Sequence, residues 1–293
     1  MEIELWIPIT VAAAFLQNVR SLLQKRLTGE LSVNGASYVR FCYALPFAWA
    51  YVGLLAGTDS LPRPNAEFFT YCLAGGVGQI VGTACLIASF TRRNFAVGTA
   101  FSKTEVAQTA LVGLVILGDE VSLAVMLGIV VSLVGVVLLA ARISVSEVRR
   151  IDKSMTLGLF AGAGFALAAV SFRGAALSLP EGDFLVRAAL TLAVTVSLQT
   201  LIMGAYLIAR EPGELARVAL AWRAALWVGL FGMVASAGWF SAMTLKNAAV
   251  VRALGQVELV FTFTTSVWFF KEVVGRREVI GVLLIVLGIY LLL

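Results

Sequence analysis

The chain has no histidine, three cysteines and only 13% charged residues among 293 positions. Without imidazole, histidine-ligated metal centres and Ser-His or Cys-His catalysis are excluded, and neither a metal nor a cofactor is expected. Cys42, Cys72 and Cys85 lie in or beside apolar runs with no CxxC spacing. They read as small buried hydrophobes rather than a disulfide framework. A soluble domain carries about 25% charged and about 45–50% apolar residues, whereas 60% of this chain is hydrophobic and its mean hydropathy is +0.95. That excess fits a polytopic membrane protein and excludes most nucleic-acid binders, despite a pI near 9.3. Glu2 and Glu4 precede the first apolar run, the wrong sign for the n-region of a cleavable signal peptide.

A membrane helix needs about 20 mostly apolar residues. Ten such runs are read at 5–27, 33–56, 68–90, 95–117, 121–141, 155–178, 184–209, 219–244, 249–270 and 275–293. The connections between them are short and leave no room for a soluble domain. Lys and Arg sort by connection. Those joining spans 1–2, 3–4, 5–6, 7–8 and 9–10 hold 14 of them, Lys25, Arg92, Arg150, Arg210 and Arg276 included, while the alternate connections hold Arg63 and Lys246. Basic residues mark the cytoplasmic side, so both termini are expected on the opposite face.

A shift of 153 residues brings the two halves into register. Arg20 falls on Arg173, Gly76 on Gly229, Asn94 on Asn247, Glu105 on Glu258, Asp119 on Glu272, Gly128 on Gly281 and Gly135 on Gly288. Generic apolar similarity would not align rare polar residues and glycines in one register. Each half holds five spans, an odd number, so the second must enter the membrane from the opposite side. The expected fold is therefore all-α and polytopic, with ten transmembrane helices as two inverted five-helix repeats. The first repeat is expected over 1–142, a linker loop over 143–153 and the second repeat over 154–293. Inverted repeats of this kind build transporters that alternate access around a midplane site.

Ionisable residues inside a membrane are expensive and by default functional. Glu105 and Glu258 each lie 11 residues past a repeat-matched asparagine, which is about 16 Å of helix and near the midplane. Two readings stand for them: proton coupling or binding of a substrate ammonium, and structural bonds that hold neighbouring helices. Ser102, Glu105, Gln108 and Thr109 share one helix side, as do Glu258, Thr262, Thr265 and Ser266. Lys103 is two residues from Glu105, about 200° around the helix, so it needs another partner or the cavity. Gln256 bears the same relation to Glu258. Arg20 and Arg173 either snorkel to the interface or face the cavity and bind an anion. Asn18, Gln17 and Gln79 are either ligands or interhelical contacts. Trp239, mid-span beside Ser236, Gly238 and Ser241, either lines a cavity or packs against lipid. Gly78-xxx-Gly82 and Gly158-xxx-Gly162 permit close helix contact.

The C-terminal stretch of each half, NFAVGTAFSKTEVAQTALVGLVILGDEVSLAVMLGIVVSLVGVVLL and NAAVVRALGQVELVFTFTTSVWFFKEVVGRREVIGVLLIVLGIYLLL, resembles the EamA-type module of the drug/metabolite transporter superfamily. That module has an acidic residue at a hairpin, here Asp119 and Glu272, and a glycine nine residues on, here Gly128 and Gly281. Its Glu-Pro step is absent, because Val106 and Leu259 stand where the proline would, and a helix break there is left open. Within the superfamily the chain is similar to bacterial inner-membrane exporters of aromatic and other amino acids, the YddG type. The resemblance implies a multi-pass inner-membrane exporter of amino acids or related metabolites, not an enzyme, with a small-molecule substrate, the lipid bilayer and no nucleic acid as partners. An amino acid needs an acceptor for its ammonium, Glu105 or Glu258, and a donor for its carboxylate, such as Lys103 or Arg173. Organophosphate or nucleotide-sugar antiport, drug export and, last, a membrane enzyme are the alternatives. Monomer and homodimer are both open.

Overall fold

A computed structural model describes residues 4–27, 29–57, 60–90, 101–139, 153–268 and 275–292. Among them every regular element is a helix. The order is α1 (Trp6–Leu27), α2 (Val33–Cys42), α3 (Leu45–Ala56), α4 (Ala66–Phe90), α5 (Glu105–Leu117), α6 (Leu123–Leu139), α7 (Lys153–Ser178), α8 (Phe184–Arg210), α9 (Glu214–Leu220), α10 (Trp222–Leu245), α11 (Ala248–Leu254), α12 (Val257–Trp268) and α13 (Arg276–Leu292). Among the described residues five stretches are long and apolar enough to cross a membrane: α2 joined to α3, α4, α7, α8 and α10. Asn94 and Glu272, both used in the repeat register, lie outside the described residues.

Among the described residues, runs expected as single helices are interrupted at several places. Over 33–56 the cause is Pro46 in the first turn of α3. It has no N–H to give the Cys42 carbonyl, and its ring crowds that carbonyl. Near Lys103 the backbone tightens, with Thr104 N bonding the Phe101 carbonyl at 3.2 Å. The Thr104 hydroxyl takes the same carbonyl at 2.6 Å, a local bond that competes with the α-helical ladder. Around Gly255 the same tightening recurs, with Gln256 N on Ala253 O, Glu258 N on Gly255 O and Leu259 N on Gln256 O. Bonds of i to i−3 spacing within a helix are the 3₁₀ geometry that accompanies functional bends. The two tightened turns sit at matching places in the 153-residue register, each just before the repeat's glutamate.

The chain divides into two units, Met1–Gly76 with Ser171–Leu245, and Val77–Val170 with Lys246–Leu293. In the first unit α1 runs along α10, and Leu27, Leu31, Val39, Val218 and Val228 form one core. Phe68, Cys72, Ala175, Leu179 and Leu190 form another. The connection after α1 is tied to the start of α9. Glu214 Oε1 accepts Ser32 N at 2.6 Å, and Glu211 accepts the Ser32 hydroxyl at 2.5 Å and Asn34 Nδ2 at 2.6 Å. Arg217 Nη1 holds the other Glu214 oxygen at 2.8 Å.

In the second unit α6 and α13 cross with backbones in contact. A Cβ on Gly135 would lie 2.6 Å from the Gly281 carbonyl, and one on Gly288 would lie 2.6 Å from the Gly128 carbonyl. The second contact is the first shifted by 153 residues, so the crossing has the internal symmetry of the repeat. Gly78 and Gly164 face each other in the same way, each Cβ position within 2.9 Å of the other's carbonyl oxygen. The α5 helix ends at Gly118, whose φ of 66° is left-handed, and its N–H returns to the Leu114 carbonyl at 3.1 Å. All three cysteines are free.

Candidate functional site

The tightened turns of the second unit gather four charges. The Lys103 ammonium contacts Glu258 Oε1 at 2.5 Å. The Arg252 guanidinium meets Glu105, its Nε donating to Oε1 at 2.5 Å and its Nη2 closing on the same oxygen. Each pair joins a residue of the first half to one of the second, over sequence separations of 155 and 147 residues. The Lys103 charge also lies within coulombic reach of Glu105 and Arg252, so the four form one cluster with no net charge. Lys103 and Glu258 keep 24% and 17% of their side chains exposed, Arg252 and Glu105 23% and 8%. The second pair is the more enclosed at its carboxylate.

Lys103 lies in the tightened turn and Glu105 at the start of α5, and the fold gives each a separate partner in the other half. A lone buried ion loses its hydration with nothing in return, and here each of the four charges has a partner of opposite sign. Ser102, Glu105 and Thr109 are buried, as the shared polar side requires. Gln108 Nε2 donates to the Thr104 hydroxyl at 2.8 Å and reaches the Leu159 carbonyl at 3.4 Å. Gly162 of α7 lies over the turn: a Cβ there would meet Gln108 Nε2 at 2.9 Å, the Ser102 carbonyl at 3.1 Å and Glu105 N at 3.2 Å. The side chains of Thr262, Thr265 and Ser266 lie outside the described residues.

Two comparisons with known proteins give a match. The EamA-like transporter family matches twice, over residues 4–141 and 154–293. The chain belongs to the EamA-like transporter family. It is therefore a membrane-embedded transporter of the drug/metabolite type built on two EamA repeats. A crystal structure of another protein superposes with a TM-score of 0.71 at 17% sequence identity, over 98% of the transporter and 96% of that chain, which is a likeness of fold. No curated protein matches it in sequence.

The other residues singled out from the sequence are dispersed over the transporter. Asn18, Trp239 and Arg173 belong to the first unit and Gln79 to the second. Trp239 is buried, at 6% exposure. Its neighbours Gly238 and Ser241 line an apolar cavity of about 350 Å³ with Ile9, Leu16 and Tyr51. Arg173 Nη1 donates to the Met243 carbonyl at 2.8 Å, in the last turn of α10, where a cation offsets the helix dipole. Arg20 Nη2 reaches the Ser21 hydroxyl at 3.2 Å. Gln79 offers its carbonyl to the Thr83 hydroxyl at 2.7 Å.

Arg252 is the site residue that reading the sequence missed. The signal was there, an arginine inside an expected span, but it has no matched partner in the repeat register. Thr99 holds the corresponding position.

Proposed function

We propose that the transporter exports amino acids, aromatic or other neutral ones, by alternating access at the charge cluster of Lys103, Glu105, Arg252 and Glu258, with Ser102 and Gln256 beside it. The carrying observation is the Lys103–Glu258 pair. An α-amino acid bears one ammonium and one carboxylate, and it can replace that pair by offering its ammonium to Glu258 and its carboxylate to Lys103. The exchange keeps the site neutral, which avoids the cost of adding a net charge in a low-dielectric span. In this reading ten helices form two inverted five-helix repeats in a bacterial inner membrane, with both termini outside the cytoplasm and Glu258 as the group that couples flux to protons.

Counterflow in proteoliposomes tests the proposal. Vesicles loaded with unlabelled aromatic or large neutral amino acids take up the labelled compound faster than buffer-loaded vesicles. Acceleration by internal sugar phosphates instead of amino acids overturns the assignment in favour of organophosphate antiport. Flux through Glu258→Gln is independent of a pH gradient that drives the wild type, and an unchanged pH response in the folded variant removes the coupling role.

A further inference from the structure

Gln256 is 3% exposed, and neither its Nε2 nor its Oε1 has a hydrogen-bond partner among the described residues. An unpaired amide at such depth is costly and calls for an explanation. The internal repeat supplies one. In the 153-residue register Gln256 falls on Lys103 and Glu105 on Glu258, and both Lys103 and Gln256 occupy a tightened turn two residues before a glutamate. Lys103 reaches across to the other half's carboxylate. Its counterpart does not, and Glu105 Oε1 is met by Arg252 instead. Of two symmetry-related contacts, one is made and the other is open, and the side chain that would make the open one is buried with its hydrogen-bonding capacity unused.

Where two inverted repeats exchange conformations, the open face changes sides. A contact made by one half in one state is then made by its counterpart in the other. We propose that Gln256 is the state-dependent partner of Glu105: in the opposite-facing state Gln256 Nε2 donates to Glu105, and Lys103 releases Glu258. The inference rests on the alternating-access reading above. It has a consequence for balance between the states. A lysine makes the bond in the described state and a neutral amide in the other. The lysine bond joins two opposite charges and the amide bond only one charge and a dipole, which favours the described state as the resting one.

The test is Gln256→Met, which keeps the volume and removes the unpaired polar atoms. Its thermal midpoint in detergent equals or exceeds that of the wild type. Its maximal exchange rate falls by about tenfold, the scale of losing one hydrogen bond to a charged group. A purely structural glutamine would instead lose stability and rate together, and a wild-type rate would equally overturn the proposal. The double substitution Lys103→Gln with Gln256→Lys moves the cation to the other half. In proteoliposomes a membrane-impermeant thiol reagent then reaches a cysteine introduced by Ser102→Cys, with the native cysteines replaced, faster from the side opposite to that in the parent. An unchanged side preference overturns the inference. The thermal and labelling readouts need no substrate. A wild type inert to every amino acid would therefore sink the substrate assignment alone and leave this inference to be decided by those two measurements.

Discussion

Arg252 places two nitrogens on one oxygen of Glu105, across 147 residues of sequence. The guanidinium presents its nitrogens from one rigid plane, and the carboxylate it holds is the more enclosed of the two. This pair ties α5 to α11. Arg252→Ala is expected to cost about 3 kcal/mol, the lower end for breaking a buried ion pair because the arginine remains partly exposed. Arg252→Ala with Glu105→Gln costs less than the two single changes added together. Denaturant or thermal unfolding in detergent measures both, and strict additivity would show that the pair does not couple.

Lys103 and Glu258 meet through a contact between Nζ and Oε1, the pair that the proposed substrate would replace. Lys103→Gln is expected to raise the KM for counterflow about tenfold, the scale of one charge-assisted bond, and to lower the thermal midpoint because Glu258 loses its cation. Exchanging the charges, Lys103→Glu with Glu258→Lys, restores part of the affinity that each single substitution removes. Kinetics of the four proteins in one lipid mixture decide it.

Gly162 is where α7 lies against the turn that presents Lys103 and Glu105. Gly162→Ala asks Gln108 and the Ser102 carbonyl to move by a few tenths of an ångström, and it is expected to reduce exchange severalfold while the protein still folds. Gly162→Leu has no such room, and overpacking of this kind costs about 1–3 kcal/mol or more. Purified yield and initial exchange rates of the two variants separate the effects.

Gly35 faces the Glu214 carboxylate so closely that a Cβ would sit 2.2 Å from Oε1. Gly35→Ala is expected to displace Glu214 from Ser32 N and lower the thermal midpoint. Glu214→Gln keeps an acceptor for Ser32 but loses the charge opposite Arg217, so it costs less. Thermal unfolding of the two variants checks the order, and the reverse order would show that the carboxylate charge matters more than the space.

Much of the architecture was legible in the sequence because hydropathy and glycine spacing are local and periodic. The expected runs over 68–90, 155–178 and 184–209 lie within two residues of α4, α7 and α8, since each is a continuous apolar stretch between polar ends. The interruptions were less legible. Pro46 announces its break by chemistry. The bend at Lys103 has neither proline nor glycine and depends on the Thr104 hydroxyl taking a backbone carbonyl, a choice between two local bonds of similar strength.

The sequence by itself determined that the chain lives in a membrane, that it consists of two related halves, and that Glu105 and Glu258 are matched within them. These follow from composition and from a register that any reader can count. Only the tertiary structure decided which charge answers which. Lys103 and Glu105 are near neighbours along the chain yet pair with Glu258 and Arg252, about 150 residues away. Arg252 gained its place from packing rather than from any motif. Ion pairing is set by distances between side chains on different helices, and a helical periodicity fixes only the face of its own helix.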